Sequence, residues 1–150
     1  MIRAIEAGDR AAWTPLWTAY LAFYETQLPE AVFDMTWQRL LDPNEPVWGA
    51  LAIGDDGPIG LVHFLYHRSA WTIEESCYLQ DLFVAPGVRG GGYGKALIDY
   101  VAAAAAKNGS TRLYWMTHET NATARRLYDA VAQRSGFIQY RKPLPPASAA

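Results

Sequence analysis

A chain of 150 residues with net charge −2, 51% hydrophobic and 13% aromatic, is one ordinary domain able to bury a core, which excludes intrinsic disorder. No apolar run approaches the ~20 residues of a membrane helix, no basic-then-apolar leader opens the chain, and the single cysteine, Cys77, excludes a disulfide framework and a cysteine-based zinc site. A cytoplasmic protein fits these features, and the near-neutral charge argues against nucleic acid as a partner.

Residues 2–6 read as a short strand. Asp9 reads as a helix N-cap, followed by Trp13, Leu16, Trp17, Tyr20, Leu21 and Tyr24 at helical spacing. Pro29 opens a second helix, striped by Val32, Phe33, Trp37, Leu40 and Leu41. Strands are expected over 48–53, 59–67 and 76–84, the first two joined by the turn Asp55-Asp56-Gly57-Pro58. Beyond residue 84 the period changes to that of a helix, from about Gly92 to Lys107, ended by Asn108-Gly109. A strand over 112–117, a helix over 121–134 closed by Gly136 and a last strand over 137–142 complete the order. Hairpin-linked strands followed by a strand–helix–strand crossover predict a mixed α/β sheet flanked by helices, in the order β-α-α-β-β-β-α-β-α-β. The domain is expected over 1–142, with a flexible Pro/Ala-rich tail over 143–150.

Charge is divided along the chain: residues 1–88 sum to −8 and residues 89–150 to +6, which suggests one anion-seeking and one cation-seeking face. The informative run is Val84-Ala85-Pro86-Gly87-Val88-Arg89-Gly90-Gly91-Gly92-Tyr93-Gly94-Lys95. A buried strand ends there in a glycine-rich loop that opens a helix, so several backbone N–H groups collect at a positive helix end beside two cations, an anion site. The dinucleotide fingerprint fails, because the third glycine would fall on Lys95 or Leu97. The P-loop fails too: Arg89 stands where its first glycine belongs, and Ala96 offers no hydroxyl for magnesium.

Arg89-Gly90-Gly91-Gly92-Tyr93-Gly94 matches Arg-x-x-Gly-x-Gly and resembles the acyl-CoA pyrophosphate loop of the GNAT N-acetyltransferase superfamily. Downstream, Asn121-Ala122-Thr123-Ala124-Arg125-Arg126-Leu127-Tyr128 and then Ser135-Gly136-Phe137 resemble the Asn…Ala…Leu-Tyr…Gly-Phe signature of that superfamily. Tyr78-Leu79-Gln80-Asp81-Leu82-Phe83-Val84, Tyr114-Trp115 and Tyr140-Arg141-Lys142 most resemble the diamine acetyltransferases and the fungal Hpa-type histone, polyamine and D-amino-acid acetyltransferases.

The resemblance implies a centrally splayed sheet and acetyl-CoA as cofactor. It implies that the backbone of Leu82, Phe83 and Val84 pairs with the pantetheine arm, beside a bulge, with a backbone N–H near Leu82 polarising the thioester carbonyl. Arg89, Gly90, Gly91, Gly92, Tyr93, Gly94 and Lys95 would hold the pyrophosphate, with Asn121, Ala124 and Tyr128 also on the cofactor. Tyr128 would protonate the departing thiolate. Diamine acetyltransferases carry a glutamate where this chain has Gln80 in Leu79-Gln80-Asp81, and an amide cannot act as base. The base is therefore unassigned. Regular alternation turns Asp81 to the other face from Gln80. Glu25, Glu75, His118 or ordered water remain as alternatives. His63 and His67 share a strand face and read as structural or substrate-lining rather than as metal ligands. No metal is expected.

Tyr24, Glu25, Gln80, Tyr114 and Trp115 are the expected substrate residues, the acidic part of the chain suiting a cationic amine. The predicted activity is direct acetyl transfer from acetyl-CoA to a primary amine, polyamine-like or lysine-like. The alternatives are an amino acid, peptide or aminoglycoside amine, or a non-catalytic acyl-CoA-binding module. A single C-terminal strand leaves an edge, which predicts a homodimer.

Overall fold

The computed structural model describes residues 1–88 and 90–147. Contacts divide the chain into Met1–Met116 and Thr117–Ala150, and each is described by itself.

In the first unit β1 (Ile2–Ala4) leads through a 3-10 turn into α1 (Arg10–Phe23) and α2 (Glu30–Leu41). Next come β2 (Val47–Gly54), β3 (Gly57–His67), β4 (Ser76–Val84), α3 (Tyr93–Lys107) and β5 (Arg112–Tyr114). The sheet order is β1-β2-β3-β4-β5. The first four strands pair antiparallel and β5 joins β4 in parallel, as the α3 crossover requires. Asp9 does not cap α1 with its side chain. Its carboxylate instead accepts from the Glu6 N–H at 2.7 Å and bidentately from Arg3 at 2.7 and 2.9 Å, closing the preceding turn.

Strand alternation separates two apolar layers. Leu51, Leu61 and Phe83 pack with Trp13, Leu16, Trp17, Leu21 and Trp37 of α1 and α2. The intervening residues Ala52, Val62, Phe64, Cys77 and Leu79 are buried, as are Leu97, Ile98, Val101 and Ala105 of α3. Gly60 marks the close approach on that side: a Cβ there would meet Phe83 O at 2.8 Å and Leu97 Cδ1 at 3.4 Å.

In the second unit the one helix among the described residues is α4 (Ala122–Val131), with Ala124, Leu127, Tyr128 and Val131 half-buried along one face. The strand expected over 137–142 does not form: residues 133–147 carry neither helix nor strand. Phe137, Ile138 and Tyr140 are 80%, 75% and 90% exposed. An extended segment without a ladder loses backbone entropy and gains no strand hydrogen bonds.

Candidate active site

The C-terminal half of β4 has one paired edge and one open edge. On the β3 side Leu82, Phe83 and Val84 lie opposite Val62, Leu61 and Gly60. On the other side β5 reaches Ser76, Cys77 and Tyr78 and stops. The Ala85 N–H bonds Ile59 O at 2.8 Å. In an antiparallel ladder bonded and non-bonded pairs alternate, so Phe83 turns its backbone groups to β3 and Leu82 turns its N–H and C=O to the open edge. Leu82 thus offers an added extended chain the backbone groups of a further ladder.

The expected bulge exists but lies nearer the start of the strand. Register runs His63↔Asp81 and then Phe64↔Leu79, so Gln80 is the extra residue and its side chain is exposed. A bulge shifts the alternation of the strand by one. Asp81 and Phe83 therefore share a face with Tyr78, the face toward α1, and the expectation from regular alternation is corrected.

Where β4 ends, Pro86–Val88 form a single 3-10 turn and the glycine loop follows. Gly90 and Gly92 have φ +92° and +80° and Gly91 does not have positive φ, so handedness alternates along the loop, the backbone pattern of an anion nest. Gly92 is the N-cap of α3 and brings no side-chain hydrogen bond, leaving the first-turn N–H groups of Tyr93, Gly94 and Lys95 without an intrahelical acceptor. A Cβ on Gly91 would come within 2.9 Å of the Tyr93 ring, whereas Cβ atoms on Gly90 and Gly92 meet nothing. The Lys95 ammonium pairs with Asp99 at 2.7 Å on the exposed side of α3. Arg89 lies outside the described residues.

The opposite end of this half of β4 holds a buried polar chain. The Trp13 indole N–H donates to His63 Nε2 at 3.0 Å. An indole nitrogen only donates, so Nε2 accepts, Nδ1 carries the imidazole proton, and that proton is donated to Asp81 Oδ2 at 3.1 Å. His63 is 3% exposed and the Asp81 side chain 12%. Burial first, then the charge of Asp81 and hydrogen bonding to it, pushes the Tyr20 hydroxyl far above the ordinary tyrosine range; Tyr24 and Tyr78 also act on it. Burial and then the charge of Asp81 raise Tyr24 as well. Tyr78 stacks on Tyr114 at 4.8 Å between ring centroids, and Tyr114 O–H bonds His67 Nε2 at 2.7 Å. His63 and His67 thus serve different partners, and among the described residues no cluster of three or more His, Cys, Asp or Glu gathers to hold a metal.

Of the expected substrate residues, Tyr24 and Tyr114 belong to this tyrosine cluster, while Gln80 and Glu25 are exposed and Trp115 is half-buried just beyond β5. Glu25 sits at φ +54°, where the Glu25 N–H bonds Ala22 O and the Thr26 N–H bonds Leu21 O, both at 2.9 Å, a helix-ending pattern that favours glycine. Glu75 accepts from Asn108 Nδ2 at 3.3 Å, before the start of β4, and is not brought to Asp81. In the second unit Asn121 caps α4 by position, but its amide donates to Thr117 Oγ1 at 3.2 Å. His118 is exposed there, and Tyr128 and Ala124 lie on the half-buried face of α4.

Sequence reasoning missed Trp13, Tyr20 and Asp81 as members of one site. The available signal was His63 itself, a polar residue in the otherwise apolar run Leu61 to Leu65. Burying a polar ring there requires partners.

Residues 13–132 match the Acetyltransferase (GNAT) family. The chain is 36% identical over 144 residues, 95% of its length and 89% of the relative, to the D-amino-acid N-acetyltransferase HPA3 of Saccharomyces cerevisiae. The fold is shared with AAC(6')-Iy in complex with the bisubstrate analogue CoA-S-monomethyl-acetylneamine: TM-score 0.82, 19% identity, 96% of this chain and 98% of the other. It is shared also with the ribosomal-protein-alanine N-acetyltransferase of Brucella melitensis biovar Abortus: TM-score 0.77, 22% identity, 96% and 99% covered. The chain belongs to the GNAT family of acetyltransferases. It is an N-acetyltransferase that uses acetyl-CoA and acts on amines. Among the described residues no helix is long and apolar enough to cross a membrane.

Proposed function

We propose that the protein moves acetyl from acetyl-CoA directly to the primary amine of a small cationic acceptor, polyamine-like or lysine-like. The observation that carries this reading is a carboxylate among tyrosines: Tyr20 and Tyr24 both respond to the charge of Asp81, and Tyr20 responds also to Tyr24 and Tyr78. Aromatic faces and one anion are the chemistry that selects an ammonium group. The −8 charge of residues 1–88 draws the same cation from a distance.

Bound acetyl-CoA supplies a thioester activated toward nitrogen. Gly90, Gly91, Gly92, Tyr93, Gly94 and Lys95, with Arg89, hold its pyrophosphate through the loop amides and cationic charge. The open edge of β4 between Leu82 and Val84 receives the pantetheine arm, the Phe83 backbone itself being turned to β3, and the Leu82 N–H polarises the carbonyl. Tyr128 gives a proton to the departing sulfur, with Asn121 and Ala124 on the cofactor arm. A phenol of pKa about 10 matches a thiol of about 8.5 closely enough to do so in ordered contact.

A second acceptor, the ammonium of a D-amino acid, is favoured by the likeness to HPA3. The acetyltransferase is a single domain over 1–142, works in the cytoplasm and is a homodimer; the dimer is supported by exposed Phe137, Ile138 and Tyr140 in a segment without a strand. Monomer alone in light scattering at micromolar protein contradicts the dimer.

The test is thiol release from acetyl-CoA with a panel of amines. Diamines and amines of cationic side chains are expected to react fastest; activity confined to anionic acceptors overturns the reading.

A further inference from the structure

We propose that Asp81 is the residue that binds the acceptor's ammonium group and receives the proton its nitrogen loses, and that His63, fixed by Trp13, is its positioning residue. This rests on the amine-acetyltransferase reading above and assigns the group that Gln80 cannot supply.

Three observations place Asp81 in this role. The bulge at Gln80 turns Asp81 to the face of Tyr78 and Phe83, toward α1. Trp13, His63 and Asp81 then form a one-way chain of donors, 3.0 and 3.1 Å long. Because the indole cannot accept, the imidazole cannot turn its proton to Nε2 without leaving Trp13 unpaired at 0% exposure. The Nδ1–H is therefore committed to Asp81, which orients the carboxylate. Finally, His63 uses one Asp81 oxygen and the Tyr20 hydroxyl also bonds the carboxylate, and the side chain keeps 12% of its surface. A carboxylate has about four acceptor positions, so it retains room for an N–H of an incoming ammonium. The other acidic candidates lie elsewhere: Glu25 is exposed beyond α1 and Glu75 is bound to Asn108.

The proton balance is simple. The acceptor arrives as an ammonium, and one proton passes along its hydrogen bond to Asp81 and on to water. The freed lone pair forms the N–C bond while the C–S bond breaks. The second nitrogen proton is lost as the amide forms, and the departing sulfur takes up one proton. Ammonium and thioester become amide, thiol and one proton in solution.

The test uses Asp81→Asn, which keeps an oxygen for the His63 N–H but holds no charge. The probe is 1,4-diaminobutane, followed by thiol release and by calorimetric binding to the CoA-loaded protein. We expect kcat/KM to fall about 100-fold or more, with KM raised and diamine heat lost, while CoA affinity stays within about twofold. His63→Asn, which keeps an N–H toward Asp81, is expected to retain about ten times the kcat/KM of His63→Leu. Long-range nitrogen NMR of the wild type is expected to show His63 protonated at Nδ1.

Wild-type turnover that survives Asp81→Asn to within about threefold overturns the role of Asp81 and leaves the acetyltransferase reading standing. Diamine binding that depends on Asp81 without turnover on any amine keeps the ammonium site and removes the acetyltransferase reading. Absence of diamine binding and turnover in the wild type overturns both. Should Asp81→Asn not fold, equal losses in the two His63 variants overturn the proposal.

Discussion

Gly92 and Gly109 bracket α3 with the same backbone angle, φ +80° in each, and an added Cβ would meet nothing at either. Only the first belongs to the proposed pyrophosphate nest. Alanine at either position carries the left-handed penalty of an L residue, about 1–2 kcal/mol. The pair separates strain from binding: both variants should lose similar stability in denaturant unfolding, and only Gly92→Ala should weaken CoA in calorimetry.

Tyr128→Phe keeps the ring on the half-buried face of α4 and removes the hydroxyl. Loss of a proton donor predicts a fall in kcat of about 100-fold or more, well beyond any loss of folded protein. Stopped-flow thiol release and thermal unfolding measure the two. Unchanged kcat removes Tyr128 from the proton path.

Glu25 occupies φ +54° at a helix end closed by the Thr26 N–H on Leu21 O at 2.9 Å. Glycine there is free of the Cβ penalty, so Glu25→Gly should raise unfolding free energy by about 1 kcal/mol. If Glu25 also contacts the acceptor, the same variant loses kcat/KM on diamines, a gain in stability against a loss in activity. Unfolding curves and the amine assay on one preparation test both.

Burial pushes the Cys77 thiol up to about 11, against about 8.5 in an unfolded chain. Below about pH 8.5 both states hold the proton and the thiol's contribution is fully present. Between there and 11 the unfolded chain binds fewer protons, so stability falls as pH rises. Urea midpoints are expected to drop more steeply above pH 9 for wild type than for Cys77→Ala, and iodoacetamide should label the thiol only on unfolding.

Much of this architecture is local and was legible. The run Ser76 to Val84 reads as a strand because it is apolar and bounded by polar turns, and the structure gives those same bounds. α3 is marked by a change of period and by glycines at both ends. The bulge at Gln80 is different in kind: register is a property of two strands, and nothing in β4 alone shows that His63 and Phe64 skip a residue. The face of Asp81 was misread for that reason. The Trp13–His63 bond joins residues 50 apart, and the apolar stripe of α1 hides an indole that also serves as a donor. The segment 137–142 has strand-like composition, but composition does not supply a partner strand.

The most direct test follows the backbone amide signals of the labelled protein as CoA is added. Saturable shifts are predicted for Gly90, Gly91, Gly92, Tyr93 and Gly94, together with Leu82 on the open edge of β4. Saturable binding that leaves these six amides unmoved contradicts the site described for the acyl donor.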